Sequence, residues 1–305
     1  IKGVNFCFFT IVLIFFILYS KIIILFERMF NMSEKIENKE KKAFTILGFK
    51  VWEILAYFII YSVAGYIIES LFALVRYGVI ESRQSFLYGP FCSIYGVGAV
   101  VMILFLQYFE KNGFTLFVGG FLIGSVTEYL VSLIGELILH VKWWDYSNMP
   151  LNINGRICFY YSVFWGVLAI FLMRVVQPKV RSLMALLIKK LSKKFVIPSI
   201  WIITFILAFD CFISAYAIQL YLIRMVTENN LNVENKEFIC ELNEKLYDNK
   251  FRANLVNTFF NNKKMVQTYP NLKVQQVDGS MVYMKDLLPD IKPYFFKFSD
   301  VDINK

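Results

Sequence analysis

Residues 65–69 read Gly-Tyr-Ile-Ile-Glu, and residues 124–128 read Gly-Ser-Val-Thr-Glu. Each pentapeptide lies inside an apolar run of the length, about 20 residues, that crosses a bilayer as a helix. A carboxylate at mid-bilayer costs roughly 2.5–3.5 kcal/mol on insertion scales, so it is kept where it faces a partner, a water-filled cavity or a substrate. Two such acids in the same local frame point to a duplicated unit built around a polar centre.

Working outward from Glu69 and Glu128, five apolar runs pass the length test: 51–75, 88–109, 114–139, 157–176 and 197–223. The chain is 58% hydrophobic with a mean hydropathy of +0.55, above the range of a soluble domain. Its wealth of Ile, Phe, Lys and Asn is what an AT-rich bacterial genome would encode. The expected fold is an all-α polytopic membrane protein, a bundle of five to six transmembrane helices with a duplicated two-helix unit and a small C-terminal α+β appendage. Residues 1–48 are an N-terminal apolar segment and a basic linker. Within them, 4–26 are long enough to span, as a signal anchor, an extra helix or translated upstream sequence before Met29 or Met32. No small-residue cleavage site follows, so a cleaved signal peptide is not expected.

Charge orients the spans. Residues 27–50 carry six basic residues and 174–196 carry seven, whereas 76–87 hold only Arg76 and Arg83, and 140–156 only Lys142 and Arg156. Basic loops remain in the cytoplasm. The net charge of +9 is therefore read as loop charge, and no nucleic-acid partner is expected. The expected topology in a cell membrane puts 27–50 and 174–196 inside, and 76–87, 140–156 and 224–305 outside.

The transmembrane core is taken as 49–223, with repeats 51–109 and 114–176 plus the span 197–223, which is expected to be peripheral although Asp210 should meet something polar. After each glutamate span comes an outward loop holding an arginine, Arg83 or Arg156. A helix then opens with Cys92-Ser-Ile-Tyr95-Gly96 in one unit and Cys158 through Phe164-Trp165-Gly166 in the other. Both units enter the membrane the same way, which predicts a pseudo-twofold axis along the membrane normal. Gly120 with Gly124, and Gly96 with Gly98, suit close helix packing.

The candidate cavity residues are Glu69, Arg83, Tyr88, Tyr95, Glu128, Trp144, Asp145, Asn152 and Arg156. Arginine's planar fork bonds a carboxylate bidentately, so each loop arginine is expected to dip towards the glutamate of its unit. Phe86-Leu-Tyr-Gly-Pro90 reads as an ordered turn. Trp143-Trp144-Asp145-Tyr146 reads as an interfacial aromatic belt with an acid embedded in it. In the tail, 236–262 has an amphipathic helical pattern with a break near Asn249, and 274–284 alternates around Asp278-Gly279, a hairpin signal.

Five dispersed cysteines without a Cys-x-x-Cys pair suggest neither zinc nor a disulfide framework. His140 reads as a polar residue at a helix end. No phosphate-binding Gly-x-x-x-x-Gly-Lys-Ser/Thr loop, His-Glu-x-x-His or Gly-x-Ser-x-Gly occurs, so no catalytic residue, metal site or cofactor is assigned.

These stretches carry a resemblance. Arg83-Gln-Ser-Phe-Leu-Tyr-Gly-Pro-Phe-Cys92 with Ile94-Tyr95-Gly96, and Trp143-Trp144-Asp145-Tyr146 with Pro150-Leu-Asn152, Asn154-Gly155-Arg156-Ile-Cys158 and Trp165-Gly166, resemble the ABC-transporter type IV family, also called CmpB-like. Ser85 stands where many members have glycine. The tail is similar to members in Tyr269-Pro270-Asn271-Leu272 and Leu288-Pro289-Asp290. The resemblance implies a permease-like subunit that docks on a nucleotide-binding ATPase subunit through 27–50 or 174–196 and pairs with a second copy in the lipid bilayer. The leading expectation is thus a membrane transport component with an outward-facing polar cavity. The alternatives are an integral membrane enzyme acting on lipid or envelope precursors, and a membrane assembly or scaffold protein that binds through its tail.

Overall fold

A computed structural model of the protein describes residues 45–298. The expectation of a span at 4–26, and most of the basic linker, lie outside the described residues.

Among the described residues, four helices are long and apolar enough to cross a membrane: Val51–Tyr77, Gly113–Leu139, Phe159–Leu191 and Lys193–Glu228. The chain is an all-α multi-pass membrane protein. Helix α1 (Val51–Tyr77) starts where Glu53 accepts the Lys50 backbone N–H at 2.7 Å, an acid suited to the positive end of the helix dipole. Helix α2 (Ser93–Leu106) runs on as a tighter turn to Phe109. Its 17 residues, at 1.5 Å each, reach about 25 Å. The apolar run 88–109 is therefore a shorter helix than expected, because the Phe86–Phe91 turn uses up its first residues.

Helix α3 (Gly113–Leu139) is capped by Asn112, whose Oδ1 accepts the Phe114 N–H at 2.9 Å. It ends at His140, which adopts left-handed geometry with φ 55°. Helix α4 (Phe159–Phe171) passes through a wide π turn at Leu172–Val176 into α5 (Gln177–Leu191). Residues 174–196, expected as a loop, are thus largely helical. Pro178 does not break the chain there because it falls in the first turn of α5, where its missing N–H costs little. Arg174 on the π turn donates to the carbonyls of Glu110 and Lys111 and so fastens the α2–α3 connection.

Helix α6 (Lys193–Glu228) is longer than the expected 197–223 span, about 54 Å for 36 residues. Its last turns become the core of the C-terminal region. Ile218, Tyr221, Met225 and Val226 are buried against Leu246, Val256, Met265, Leu272 and Met284. That region contains α7 (Lys236–Asp248) and α8 (Lys250–Phe259), broken at Asn249, whose side chain caps α8. Helix α9 (Asn262–Thr268) and an antiparallel hairpin follow.

The hairpin pairs β4 (Lys273–Gln275) with β5 (Met281–Tyr283), Val274 facing Val282, and Gly279 takes the positive φ of its turn. A further strand had no sequence signal. Strand β6 (Tyr294–Lys297) returns to pair antiparallel with β1 (Val79–Glu81), immediately after α1. Phe298 then donates its N–H to the Gly78 carbonyl at 2.8 Å. A second ladder, β2 (Asn152–Ile153) with β3 (Ile157–Cys158), closes the loop above α3 and α4.

A second buried core joins α1 to α4. Tyr57, Tyr61, Met102, Ile103, Leu116, Trp165 and Ala169 meet there.

Candidate functional site

The site begins with two glycines. A Cβ on Gly65 of α1 would overlap the Tyr95 side chain of α2, and one on Gly124 of α3 would overlap Trp165 of α4. The missing side chains let the two helix pairs approach until these rings lie against backbone. Contacts from the other side match as well. Gly96 sits against Phe58 and Gly166 against Phe117, each phenylalanine seven residues before the glycine that receives the ring.

That packing aims both rings at the acids. Glu69 and Glu128 follow Gly65 and Gly124 by one helical turn. Tyr95 donates its hydroxyl to Glu69 Oε1 at 2.6 Å, and Trp165 donates its indole N–H to Glu128 Oε2 at 3.0 Å. The two rings face one another with centroids 5.8 Å apart. A continuous chain, Glu69–Tyr95–Trp165–Glu128, thus links the two helix pairs. Glu128 is only 5% exposed and takes a second hydrogen bond, from the Tyr146 hydroxyl at 3.0 Å.

The expected arginine pairs do not form. Arg83 pairs with Glu81, the last residue of β1, at 2.5 Å. Arg156 pairs with Glu136 at 2.6 Å and also donates to Ser132 Oγ at 3.2 Å. The reason is reach along α3. Ser132 and Glu136 follow Glu128 by one and two turns on the same helix face, so the loop arginine meets the outermost acid first. Lys142 joins this pair at 3.7 Å from Glu136. Among the described residues, Glu69 and Glu128 form no ion pair; their partners are neutral.

Of the other candidates, Tyr88 is 44% exposed. Its backbone N–H donates to Asp210 Oδ2 at 3.1 Å, and its ring carries Lys264 Nζ at 4.1 Å from the centroid. The neighbouring Leu87 N–H donates to Ser214 Oγ at 2.6 Å. Asp210 and Ser214 of α6 therefore hold the Phe86–Tyr88 turn, so α6 is not a mere outrider of the bundle.

Trp144, Asp145 and Asn152 build the roof loop. Trp144 donates to the Arg156 carbonyl at 2.9 Å, Asn152 donates to the Ser147 and Met149 carbonyls, and Asp145 accepts from Ser147 N and Oγ. Partial burial works against the Asp145 carboxylate. The Ser147 hydrogen bonds, with Lys273 and Lys142, outweigh it and hold the carboxyl below its ordinary value. Tyr146 is pushed the other way, well above the usual phenol range, first by burial and then by the charge of Glu128.

A cleft of about 80 Å³ lies between α1, α2 and α4, lined by Gly65, Ile68, Tyr95, Met102, Trp165 and Leu172 among others. Its lining is apolar and includes Tyr95 and Trp165, the ring partners of the two acids. Trp165, Tyr146, Glu136 and Glu81 were not among the sequence candidates. The four-residue spacing of Glu128, Ser132 and Glu136 was the available signal for the last acid on α3.

The model of the family described as "Putative ABC-transporter type IV" matches residues 56–215, which contain the whole chain from Glu69 to Trp165. The protein belongs to this family. That description is of a transport component, and the fold agrees with it in being a multi-pass membrane protein. Comparison with curated proteins and with solved structures gave no match.

Proposed function

We propose that this protein is the membrane-embedded, permease-like subunit of a transporter, and that the Glu69–Glu128 pair is its working centre. One observation carries the reading: among the described residues, two glutamates in apolar helices, one of them buried, are hydrogen-bonded by a phenol, an indole and a second phenol, with no cation paired to either. Burying an ionised carboxylate without a counter-charge is costly, so such groups take up a proton or a cationic ligand. The pair is therefore read as a site that exchanges a proton or cation during transport, opening to the outer side beneath the 76–87 and 140–156 loops.

Several finer features belong to this proposal. The matched contacts of Gly65 with Tyr95 and Gly124 with Trp165 support an internal duplication with an axis along the membrane normal. The basic segment 174–196 supports a cytoplasmic position for the α5–α6 connection, and with it an outer position for the C-terminal region. The family description supports a nucleotide-binding ATPase as the partner, and a second copy of the chain would complete a pathway. The small apolar cleft speaks against the enzymatic reading, since small-molecule sites usually have about 300–1,000 Å³.

The test is flux and proton release in proteoliposomes with Glu69→Gln and Glu128→Gln. Loss of either signal in the variants, with the fold retained, supports the proposal. Unchanged flux and unchanged proton release in both variants reject it.

A further inference from the structure

We propose that the turn joining α5 to α6 is a docking surface for the headgroups of anionic phospholipids. Lys189 and Lys190 occupy the last turn of α5, and Lys193 and Lys194 open α6. Four cations thus flank two residues, Leu191 and Ser192, and Ser192 turns the chain at φ 63° and ψ 146°. All four lysines are exposed, and Lys179 and Arg181 extend the charge along α5. No acidic residue lies between 174 and 196. Among the described residues none of the four lysines forms an ion pair.

The charge is unbalanced where balance matters most. Cations suit the end of α5 but oppose the positive end of the α6 dipole, and α6 has no acid in its first turn. An external anion is what this turn lacks. Its level in the membrane identifies the anion. Helix α6 becomes apolar at Phe195, one residue after Lys194, so the lysines lie within about 6 Å of the hydrocarbon boundary. Leu186, Leu187, Leu191 and Phe195 are exposed between and beside the lysines. An interleaving of cations with lipid-facing apolar groups complements an anionic headgroup layer and the acyl region beneath it. A soluble acidic protein would leave those leucines in water.

The experiment uses the full chain in nanodiscs carrying spin-labelled phosphatidylglycerol or spin-labelled phosphatidylcholine. The expected result is a preference for phosphatidylglycerol of at least about threefold at low salt, as juxtamembrane lysines give. It should fall to near one in the combined variant Lys189→Gln, Lys190→Gln, Lys193→Gln, Lys194→Gln, with circular dichroism unchanged. Equal association of both lipids with the unaltered protein, or a preference that survives in the variant, overturns the proposal. So does preferential retention of soluble polyglutamate without any lipid preference. Should the variant not fold, the unaltered protein decides: the preference must vanish in 1 M salt, and its persistence overturns the assignment. Proton release from the acid pair is a separate readout, so the two proposals fail independently.

Discussion

Trp165 holds Glu128 by a single indole hydrogen bond of 3.0 Å, and the position of that ring is set by the bare backbone of Gly124 one turn away. Packing and polarity are therefore one device here. The small residue brings the ring close, and the ring satisfies the acid.

Trp165→Phe keeps the packing and removes the donor. A buried group that loses its partner costs about 1–3 kcal/mol. The variant should melt several degrees lower in detergent, and Glu128→Gln placed on top of it should recover part of the loss because the amide needs less stabilisation than a carboxylate. A melting temperature equal to that of the unaltered protein would show that the indole N–H is not holding the acid.

Gly124→Leu forces a side chain into Trp165, and Gly65→Leu does the same to Tyr95. Overpacking costs about 1–3 kcal/mol. Both variants should lose stability, and both should quench or shift the Trp165 fluorescence, since Tyr95 and Trp165 touch. If Gly65→Leu left that fluorescence untouched, the ring chain would not be the link between the two helix pairs.

Arg156→Gln breaks the pair with Glu136 and the bond to Ser132. The Arg156 side chain is only 12% exposed and that of Glu136 27%, so the loss should be about 1–3 kcal/mol, more than for a surface pair. Proteolysis within 140–156 should accelerate while cleavage within 76–87 stays constant. Equal acceleration in both loops would contradict a local role.

Asp145 supplies a pH dependence. Its folded carboxyl lies below the ordinary value of 3.8. Folding is then favoured by the ionised form: the contribution is complete above about 3.8 and is lost as the pH falls through the lower folded value. Trp143 and Trp144 emission should report an acid-induced loosening of the 140–156 loop, and Asp145→Asn should flatten that acid limb. An acid limb of the same shape in the variant would assign it to other carboxylates.

Much of this architecture is readable from residues alone, for physical reasons. Hydropathy marks the apolar helices, and Asp278-Gly279 and Asn249 mark a turn and a break, because those signals are local. The pairing of Arg83 with Glu81 and of Arg156 with Glu136 was not legible. Nearest-acid geometry depends on helix phase and loop height, which charge counting does not contain. Nor could periodicity show that α4 continues through Leu172–Val176, since the extra residue of a π turn shifts the phase of the hydrophobic face. The β1–β6 ladder joins segments too far apart in the chain, and strands too short, for any pattern to link them.

That ladder has a consequence for biogenesis. Val79 and Lys297 are neighbours in space but are separated by roughly 220 positions, which at 5–20 residues per second is roughly 10–45 s of synthesis. The segment just beyond α1 emerges early and waits, strand edge unpaired, until every spanning helix has left the ribosome. The seam between the strand after α1 and the C-terminal strand can therefore close only late in synthesis, and its integrity reports on everything made between them.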